Sequence, residues 1–317
     1  MKVLANDGVS QSGIDALEAA GFEVSTTTVA QEQLQNYIND KDISVLLVRS
    51  ATKVRKDIID NCPGLKIIGR GGVGMDNIDV EYAREKGLHV INTPAASSHS
   101  VAELVFGHFY GLARFLHNSN RDMPLEGDSN FKKLKKAYAK GTELKGKTLG
   151  VIGFGRIGQA TAKVAIGAGM KVVAFDPFIE NTTLELDFFD GQKLSFDITT
   201  ISKEDVLKQA DFLTLHVPAQ KDYIIDDAEL NQMKDGVIIA NAARGGVINE
   251  VALVKAIESG KVARAALDVF EKEPQPEIQL LMNPALSLTP HTGAATSEAQ
   301  DRIGVELATQ IIDILKN

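Results

Sequence analysis

Short apolar runs alternate with helical patterns along the whole chain. The run at 43–48 (ISVLLV) is almost continuously apolar, which is typical of a strand covered on both faces of a sheet. Similar runs occur at 3–5, 65–68 and 88–91, with helical patterns between them. These four runs belong to a parallel sheet for which five strands are predicted within about the first 95 residues. From residue 147 the alternation restarts with LGVI, VVAF, FLTLHV, VIIAN and ARAALDV. The pattern therefore predicts two successive parallel α/β units.

Three further stretches have patterns of their own. A helix is predicted over about residues 97–117, where apolar residues recur at helical spacing. Residues 122–146 are polar and rich in Gly and Lys, without an apolar period, and are predicted to form a long surface loop. Residues 295–315 carry apolar side chains at i, i+4 spacing from Ile303 to Leu315, which predicts an amphipathic helix.

The charge balance and composition limit the classes of molecule that the chain is expected to bind. Lys plus Arg number 34 and Asp plus Glu 42, so the formal charge is −8 and offers no electrostatic footprint for DNA or RNA. No apolar run reaches the roughly 18–20 residues that cross a bilayer, and the first ten residues lack the apolar core of a secretory signal. The single Cys62 excludes an internal disulfide framework and a cysteine-based metal cluster. We therefore expect a cytoplasmic protein with no nucleic-acid, membrane or metal partner.

A glycine-rich turn follows the first apolar run of the second unit. The segment KTLGVI leads directly into GFGRIG and then into a helical pattern. In a strand–turn–helix, the first glycine permits a tight turn, the second lets a pyrophosphate approach the backbone, and the third lets the helix pack on the strand. The N–H groups at the start of the helix attract phosphates. The predicted phosphate contacts are Gly153, Gly155, Arg156, Ile157 and Gly158.

An acidic residue at the end of the next predicted strand indicates the cofactor. Asp176 follows the run VVAF, roughly 20 residues beyond Gly153. A carboxylate there accepts hydrogen bonds from the adenosine ribose hydroxyls and repels the 2′-phosphate of NADP, so NAD is expected. A purely structural glycine turn followed by an Asp-Pro turn, and an S-adenosylmethionine site, are the alternatives that this pattern leaves open.

Two of the six histidines stand where acid–base chemistry is favoured. Histidine suits the transfer of a hydroxyl proton because its ordinary pKa lies near neutral pH. His216 ends the run FLTLHV and precedes Pro218, at a sheet edge where ligands bind in such folds. His291 lies in the aperiodic segment TPHTG, beside a glycine. The pattern favours His291 over His216 without excluding either.

A cation and a carboxylate complete the candidate chemistry. Arg244 follows the apolar run VIIAN beside two glycines, and its guanidinium could bind a substrate carboxylate through two parallel hydrogen bonds. Glu273 follows another strand end, in DVFEKEP, where a carboxylate beside a histidine would orient the ring. A surface arginine in a loop and a charged exit loop are the structural alternatives for these two segments.

The motifs GFGRIG, NAARGG, DVFEKEP and TPHTGA, in this order, make the chain similar to the D-2-hydroxyacid dehydrogenase family over essentially its whole length. The resemblance implies an NAD-dependent oxidoreductase of the α/β class with two doubly wound parallel-sheet domains. A Rossmann NAD-binding domain at 98–289 would be inserted into a flavodoxin-like substrate-binding domain formed by 1–97 and 290–317. The tail after His291 would therefore return to the first domain.

The resemblance also implies roles for individual residues. Arg244 would bind the carboxylate and carbonyl of the substrate, His291 would be the acid/base, and Glu273 would support the histidine. Asp268 would hold the nicotinamide carboxamide. The other residues expected to line the cofactor are Val73, His216, Val217, Pro218, Ala242, Ala243, Gly293 and Ala294.

Two motifs in the first unit bear on the substrate. VRSATKV and IGRGGVGMDN are most similar to those of relatives that oxidise 3-phospho-D-glycerate to 3-phosphohydroxypyruvate, the first step of serine biosynthesis. An anionic 2-hydroxy or 2-oxo acid is therefore expected to contact Arg49, Ser50, Arg70, Val73 and Gly74. Backbone N–H groups at the last two would form an anion nest. A glyoxylate or hydroxypyruvate reductase, and an NAD-sensing corepressor with little turnover, are the alternatives.

The chain departs from the family pattern in two places. Leu134 and Lys136 stand where the family commonly has a Trp and an Arg offered to the partner subunit's substrate. Lys136 would supply charge to a phosphate without a bidentate fork, and a solvated loop is the alternative for this lysine-rich stretch. The chain ends at Asn317, so the regulatory C-terminal domains of longer relatives are expected to be absent. The resemblance implies a homodimer formed through the long helix after residue 97.

Overall fold

The computed structural model describes Met1–Lys316 and divides the chain into two compact units. Unit 1 combines Met1–Ser100 with the C-terminal segment that begins at Ala294, and unit 2 is the continuous stretch Val101–Gly293. His291 therefore belongs to unit 2, whereas the expected boundary at 290 assigned it to the substrate-binding domain. The physical reason is that its loop is hydrogen-bonded to Asp268 of unit 2.

Strands and helices alternate along both halves of the chain. The first half forms β1 (Lys2–Ala5), α1 (Gln11–Ala19), β2 (Glu23–Ser25), α2 (Gln31–Asp40), β3 (Ile43–Val48), α3 (Lys56–Asn61), β4 (Ile67–Arg70), α4 (Val80–Glu85), β5 (His89–Asn92), α5 (Ser98–Arg114), α6 (Leu116–Glu126) and α7 (Phe131–Ala137). The second half forms β6 (Thr148–Ile152), α8 (Arg156–Gly167), β7 (Lys171–Phe175), β8 (Asn181–Asp187), β9 (Lys193–Thr199), α9 (Lys203–Gln209), β10 (Phe212–Leu215), α10 (Asp227–Gln232), β11 (Val237–Asn241), α11 (Glu250–Glu258), β12 (Val262–Leu267), α12 (Ile278–Leu281), β13 (Leu286–Leu288) and α13 (Ser297–Lys316).

Unit 1 is built on a parallel sheet with the strand order β2-β1-β3-β4-β5, the order of flavodoxin-like folds. Both faces of this sheet are covered. Leu46 packs with side chains of α2, α3 and α4, whereas Leu47 packs on the opposite face with side chains of α1 and α13. This double burial explains the continuous apolar run of β3. Ile303 and Leu307 of α13 lie in the second face, as the amphipathic pattern predicts.

Unit 2 is built on a second parallel sheet, with the order β13-β12-β11-β10-β6-β7. Its faces are also both buried, with Val151 and Ile152 of β6 in different apolar clusters. The order reverses at β6, which pairs with β7 on one side and β10 on the other. In open α/β sheets, ligands bind outside the carboxyl ends of the strands at such a switch point. The turns that follow β6 and β10 therefore define the expected cofactor crevice.

The stretch 122–146 is not the long loop that its composition predicts. The predicted single helix breaks at Phe115, which adopts the left-handed conformation (φ 58°), and α6 then continues to Glu126. A short helix, α7, follows and packs on α6. Its Lys and Ala residues favour helix, and one buried side chain, Leu134, anchors it. Its apolar positions, Phe131, Leu134 and Ala137, span only two turns among lysines, which is why the pattern did not predict this helix.

An antiparallel hairpin, β8–β9, was also not predicted. It lies between β7 and β10, where doubly wound sheets of the 3-2-1-4-5-6 order place another parallel strand. Leu184 and Phe196 form a cross-strand pair on its apolar face. Two alternating runs, TTLELD and KLSFDIT, flank an Asp-Gly turn at Gly191 (φ 84°). That combination is a hairpin signal that the sequence interpretation overlooked.

Within Met1–Lys316, none of the helices combines the length and apolar character needed to span a membrane. The same residues contain no group of three or more His, Cys, Asp or Glu side chains arranged to hold a metal ion.

Candidate functional site

One buried carboxylate organises the loop that follows β13. Asp268, 2% exposed, accepts hydrogen bonds at Oδ1 from the hydroxyl of Thr289 (2.6 Å) and the backbone N–H of Thr292 (2.7 Å). Its Oδ2 accepts from the N–H of Gly293 (2.8 Å), and its carbonyl accepts from the N–H of His291 (2.8 Å). Asp268 therefore holds the loop in place, and a contact with the nicotinamide carboxamide would be additional to these four bonds.

His291 and Glu273 form a close pair within unit 2. Nδ1 of His291 lies 2.9 Å from Oε2 of Glu273, and Oε1 of Glu273 accepts the N–H of Phe270 at 3.0 Å. His291 adopts φ 55°, a left-handed conformation that costs a non-glycine residue energy and persists here because both flanks of the loop are tied down. The two side chains stay 43% and 37% exposed. Because Nδ1 faces the carboxylate, Nε2 is the ring nitrogen available to a substrate.

A pocket of about 410 Å³ adjoins this pair. Most of its lining is apolar and includes Phe270, Leu281 and Leu288, while Glu273, Thr289 and His291 contribute its polar part. The carboxylate of Glu273 at Nδ1 leaves Nε2 of His291 on the free side of the ring. The arrangement suits a histidine that gains a positive charge during a reaction.

The loop that carries Arg244 is shaped by its neighbours. The side chain of Asn241, at the end of β11, accepts the N–H of Ala243 (3.0 Å) and donates to the carbonyl of Arg244 (3.0 Å). A Cβ on Gly245 would lie 1.8 Å from the carbonyl oxygen of Phe270, so only glycine fits there. The Arg244 loop therefore packs directly on the segment that carries Glu273. Sequence reasoning singled out Arg244 but missed Asn241, although a polar residue ending an apolar strand was a usable signal.

The glycines of the GFGRIG turn have the geometry that a dinucleotide requires. A Cβ on Gly153 (φ 88°) would lie 2.5 Å from the carbonyl oxygen of His216, and one on Gly158 would lie 2.2 Å from the carbonyl oxygen of Gly153. Around Gly155, in contrast, a Cβ would meet no atom within 4 Å. Gly155 is also the N-cap of α8, and no side chain caps this helix. The open backbone at the positive end of a 12-residue helix fits a pyrophosphate.

The carboxylate of Asp176 links this turn to the segment after β7. Its Oδ2 accepts the N–H of Phe154 at 2.7 Å, and its Oδ1 accepts the N–H groups of Phe178 (2.9 Å) and Ile179 (3.2 Å). Each carboxylate oxygen can accept more than one hydrogen bond. Asp176 can therefore still accept from ribose hydroxyls while it fixes the turn, as NAD binding requires.

Replacing Gly155 by Ala separates cofactor binding from folding. The new methyl group meets no protein atom, so we expect the unfolding temperature to change by no more than a few degrees. The methyl group would occupy the space of the pyrophosphate, so NADH affinity, measured by fluorescence titration, should fall at least about tenfold. Gly167→Ala in the same helix, which also meets no atom within 4 Å, is the matched control and should bind NADH normally. Undiminished NADH binding by Gly155→Ala would remove the turn from the cofactor site.

The ring of His216 contacts two threonines, one on the helix after the phosphate turn and one on the sheet. Its Nε2 lies 3.1 Å from the hydroxyl of Thr161 on α8 and 3.2 Å from that of Thr214 on β10. Desolvation by burial lowers the pKa of His216 to about 3. The low pKa and the two threonine contacts favour His291 over the alternative that gave His216 the proton-transfer role. Its side chain joins the phosphate-turn helix to the sheet, and a cofactor contact is left to the backbone of His216.

The buried ring predicts a pH-dependent stability. The unfolded chain binds a proton at His216 below about pH 6.5, whereas the folded protein does so only below about pH 3. The contribution of the neutral His216 ring to the free energy of unfolding is thus fully present above pH 6.5. It is lost as the pH falls toward 3, at up to about 1.4 kcal/mol per pH unit. Thermal unfolding between pH 4 and 7.5 should show a shallower loss in His216→Gln than in the unsubstituted protein. Equal slopes would contradict this assignment.

Unit 1 carries the expected anion-binding residues on two adjacent loops. Arg49 and Ser50 follow β3, and Arg70 ends β4, with Val48 and Arg70 aligned in the parallel register. Gly72 has φ 143°, and a Cβ there would lie 1.8 Å from Nη1 of Arg70, so this glycine gives the guanidinium its space. Val73 is partly exposed, and its carbonyl accepts the side-chain amide of Asn92 at 2.7 Å. Gly74 follows it in the same loop.

Two further polar residues hold the Arg49 loop, and the sequence interpretation assigned neither of them a role. Oδ2 of Asp7 accepts the N–H of Arg49 (2.6 Å), and its Oδ1 accepts the hydroxyl of Thr52 (2.6 Å). The side-chain amide of Asn77 donates to the carbonyls of Arg49 (2.7 Å) and Thr52 (2.6 Å). Asp7 lies two residues beyond the end of β1, so its position at the carboxyl edge of a strand was the available signal.

The remaining predicted residues occupy several places. Val217 and Pro218 follow β10, and the side chain of Val217 approaches Gly153. Ala242 and Ala243 lie in the Arg244 loop, and Ala243 is buried. Gly293 is the last residue of unit 2, whereas Ala294 begins the returning segment of unit 1. Lys136 is exposed on α7, which packs on α6.

Comparison with known proteins identifies the family. Residues 106–293 match the family model described as D-isomer specific 2-hydroxyacid dehydrogenase, NAD binding domain. This match covers more than half of the chain and includes the phosphate turn, Arg244, Glu273 and His291. The chain therefore belongs to the D-2-hydroxyacid dehydrogenase family and contains its NAD-binding domain.

Similar individual proteins carry different names. A D-3-phosphoglycerate dehydrogenase of Methanocaldococcus jannaschii is 43% identical over 318 residues, which are 100% of this chain and 58% of that protein, so the chain spans little more than half of this relative. A hydroxypyruvate reductase of Thermotoga maritima is also 43% identical, over 98% of this chain and 97% of that protein. Among solved structures, the D-lactate dehydrogenase of Aquifex aeolicus in complex with NAD and lactic acid has a TM-score of 0.76 at 28% identity, covering 100% of this chain and 96% of that one.

Proposed function

We propose that the chain is an NAD-dependent dehydrogenase that oxidises 3-phospho-D-glycerate at C2 to 3-phosphohydroxypyruvate, the first step of serine biosynthesis. The observation that carries the dehydrogenase chemistry of this proposal is the 2.9 Å contact between Nδ1 of His291 and Oε2 of Glu273, and the choice of substrate depends on the arginines of unit 1. An oriented imidazole of this kind is what removal of a hydroxyl proton needs, and a protein that only sensed NAD would not require it.

The residues of unit 2 divide the chemistry among them. Bound NAD supplies the acceptor for the hydride that leaves C2. Nε2 of His291 takes the hydroxyl proton as the carbonyl forms, and Glu273 keeps the ring oriented and stabilises the imidazolium. The guanidinium of Arg244 binds the substrate carboxylate through parallel hydrogen bonds and polarises the forming carbonyl. In the reverse direction His291 returns the proton to the carbonyl oxygen.

Two arginines of unit 1 support a phosphorylated substrate. Arg49 and Arg70 stand on adjacent loops at the carboxyl edge of the sheet, in a protein with a net charge of −8. Local cations of this kind supply the attraction that the overall charge does not. The name of the Methanocaldococcus jannaschii relative agrees with a phosphorylated substrate.

A second candidate is the reduction of hydroxypyruvate or glyoxylate, which needs no phosphate site. The Thermotoga maritima hydroxypyruvate reductase favours it, because this relative is as similar as the first and matches over 97% of its own length. The acid–base machinery would be the same for both, so only the substrate separates them.

The deciding experiment compares kcat/KM for 3-phosphohydroxypyruvate and hydroxypyruvate with NADH. If the proposal holds, the phosphorylated substrate is preferred by at least about tenfold, and Arg49→Ala removes most of that preference. Arg55→Ala is the control, since Arg55 in the same unit is bound to Asp79 at 2.8 Å. Equal use of both substrates by the unsubstituted protein would instead support the reductase, and no turnover with any hydroxy or oxo acid would leave an NAD-binding sensor.

We also propose that the enzyme is a homodimer formed through the long helix α5. Tyr110 on this helix is 46% exposed, and Leu116 just beyond it is 49% exposed, so apolar surface remains uncovered in the single chain. Sedimentation analysis should give twice the chain mass of 34.1 kDa. A monomer at assay concentration would exclude this assembly.

A further inference from the structure

A reciprocal pair of hydrogen bonds joins two glutamates beside the proposed active site. The backbone N–H of Glu250, the first residue of α11, donates to Oε1 of Glu271 at 3.1 Å. The backbone N–H of Glu271 donates to Oε1 of Glu250 at 2.8 Å. The proposed chemistry uses neither side chain.

The side chain of Glu250 is not needed to cap its helix. Asn249 is the N-cap of α11, and its Oδ1 accepts the N–H groups of Val251 and Ala252, both at 3.1 Å. The carboxylate of Glu250 is therefore directed to another segment of the chain, where its partner is a single backbone N–H.

This arrangement has an energetic cost. Glu250 is only 8% exposed, and burial together with the neighbouring carboxylates raises the pKa of its side chain. The charged or titratable groups that act on Glu250 or on its partner Glu271 are Tyr223, Glu271, Lys272, Glu273 and Glu277. A buried carboxylate with like charges nearby is unfavourable in a fold, and such exceptions are concentrated at functional sites.

The hydrogen bond from the N–H of Glu271 to Glu250 fixes one peptide group in the segment that also carries Glu273. The carbonyl of Phe270 and the N–H of Glu271 belong to one planar peptide group. Its carbonyl oxygen is so close to Gly245 that a Cβ there would lie at 1.8 Å, and its N–H is held by Glu250. The orientation of this peptide group is therefore restrained on both sides, by Gly245 at its carbonyl and by Glu250 at its N–H.

The same segment determines where Glu273 lies. The N–H of Phe270 donates to Oε1 of Glu273 at 3.0 Å, and the other oxygen of that carboxylate contacts His291. The N–H of Phe270 lies in the preceding peptide group, which shares the Cα of Phe270 with the held plane, and Glu273 follows two residues after Glu271. A displaced Glu271 backbone would therefore shift the short segment that carries Glu273. Three hydrogen bonds and the backbone of residues 270–273 thus connect Glu250 to the imidazole.

We propose that Glu250 is a positioning residue, which holds the Phe270–Glu271 peptide so that Glu273 stays on Nδ1 of His291. The proposal rests on the proposed function, because Glu250 would affect turnover only through the Glu273–His291 pair. Glu250 itself touches neither substrate nor cofactor.

Three variants of Glu250 test the role. Glu250→Ala removes the acceptor, and Glu250→Asp keeps the charge but withdraws it by one methylene, so both should lower kcat about 10- to 100-fold. Glu250→Gln keeps an oxygen acceptor for the N–H of Glu271 and should stay within about threefold of the unsubstituted enzyme. NADH affinity should change less than about twofold in all three, since the cofactor turn lies elsewhere. Glu258→Ala, at the exposed end of the same helix, is the control and should leave kcat unchanged.

A double-mutant cycle with Glu273→Gln makes the test specific. If Glu250 acts through Glu273, adding Glu250→Asp to Glu273→Gln should lower kcat by less than about twofold. If the two effects instead multiply in full, or Glu250→Gln is as impaired as Glu250→Asp, the positioning role is overturned. If Glu273→Gln alone leaves kcat unchanged, the proposed acid–base pair fails, and the positioning role fails with it.

Discussion

Replacing His291 by Asn is expected to lower kcat about a thousandfold while NADH still binds normally. The loss follows because no other group takes the hydroxyl proton, and general acid–base catalysis by histidine contributes about 10²- to 10⁴-fold. Asn is the suitable substitute since it tolerates the left-handed backbone (φ 55°) at this position better than other residues do. Steady-state kinetics and NADH fluorescence titration measure the two quantities.

Two further variants show whether the loss of turnover is specific to the His291 ring. Glu273→Gln should lower kcat less than His291→Asn, because the ring loses its charged partner but keeps its nitrogens. His89→Asn replaces an exposed histidine of β5 and should change nothing. A His291→Asn protein with unimpaired turnover would exclude His291 from proton transfer.

Replacing Arg244 by Lys should lower kcat/KM for the hydroxy acid about a hundredfold, again with little change in NADH affinity. Lysine keeps the positive charge but cannot form the two parallel hydrogen bonds that a guanidinium gives a carboxylate. Loss of one or two charge-assisted hydrogen bonds accounts for a factor of this size. The side chain is also oriented in the free protein, because Nη1 donates to the carbonyl of Ala243 at 2.7 Å.

A chemical rescue separates charge recognition from a general structural effect. Free guanidinium added to Arg244→Ala should restore part of the lost kcat/KM, since the vacated space lies at the substrate. Arg121→Lys, at an exposed arginine that pairs with Asp122, is the control and should match the unsubstituted enzyme. A lysine variant with full activity would mean that Arg244 does not bind the substrate carboxylate.

The features that sequence alone predicted are those set by local pattern. The double burial of strands such as β3 leaves a continuous apolar run, and the glycines of the phosphate turn have separate steric reasons at Gly153, Gly155 and Gly158. Such constraints act within a few residues of the chain, so they are visible without a structure. The family match and the two parallel sheets confirm the fold class.

The features that sequence did not predict depend on contacts between distant segments. Asp268 was assigned to the cofactor, yet its carboxylate is already shared among three residues more than 20 positions away. The links from Asp7 to Arg49 and from Glu250 to Glu271 also join separate loops. The contacts of the His216 ring with Thr161 and Thr214 likewise join segments that are distant in the sequence or on neighbouring elements. No local period records such pairings.

The boundary after Gly293 has a consequence for how such proteins diversify. The proposed proton-transfer residues all lie in one continuous stretch, whereas Arg49 and Arg70 lie in the other unit. If Arg49 and Arg70 bind the substrate as proposed, substitutions in the first unit would change which acid is accepted, while the proton-transfer residues of the second unit would stay the same.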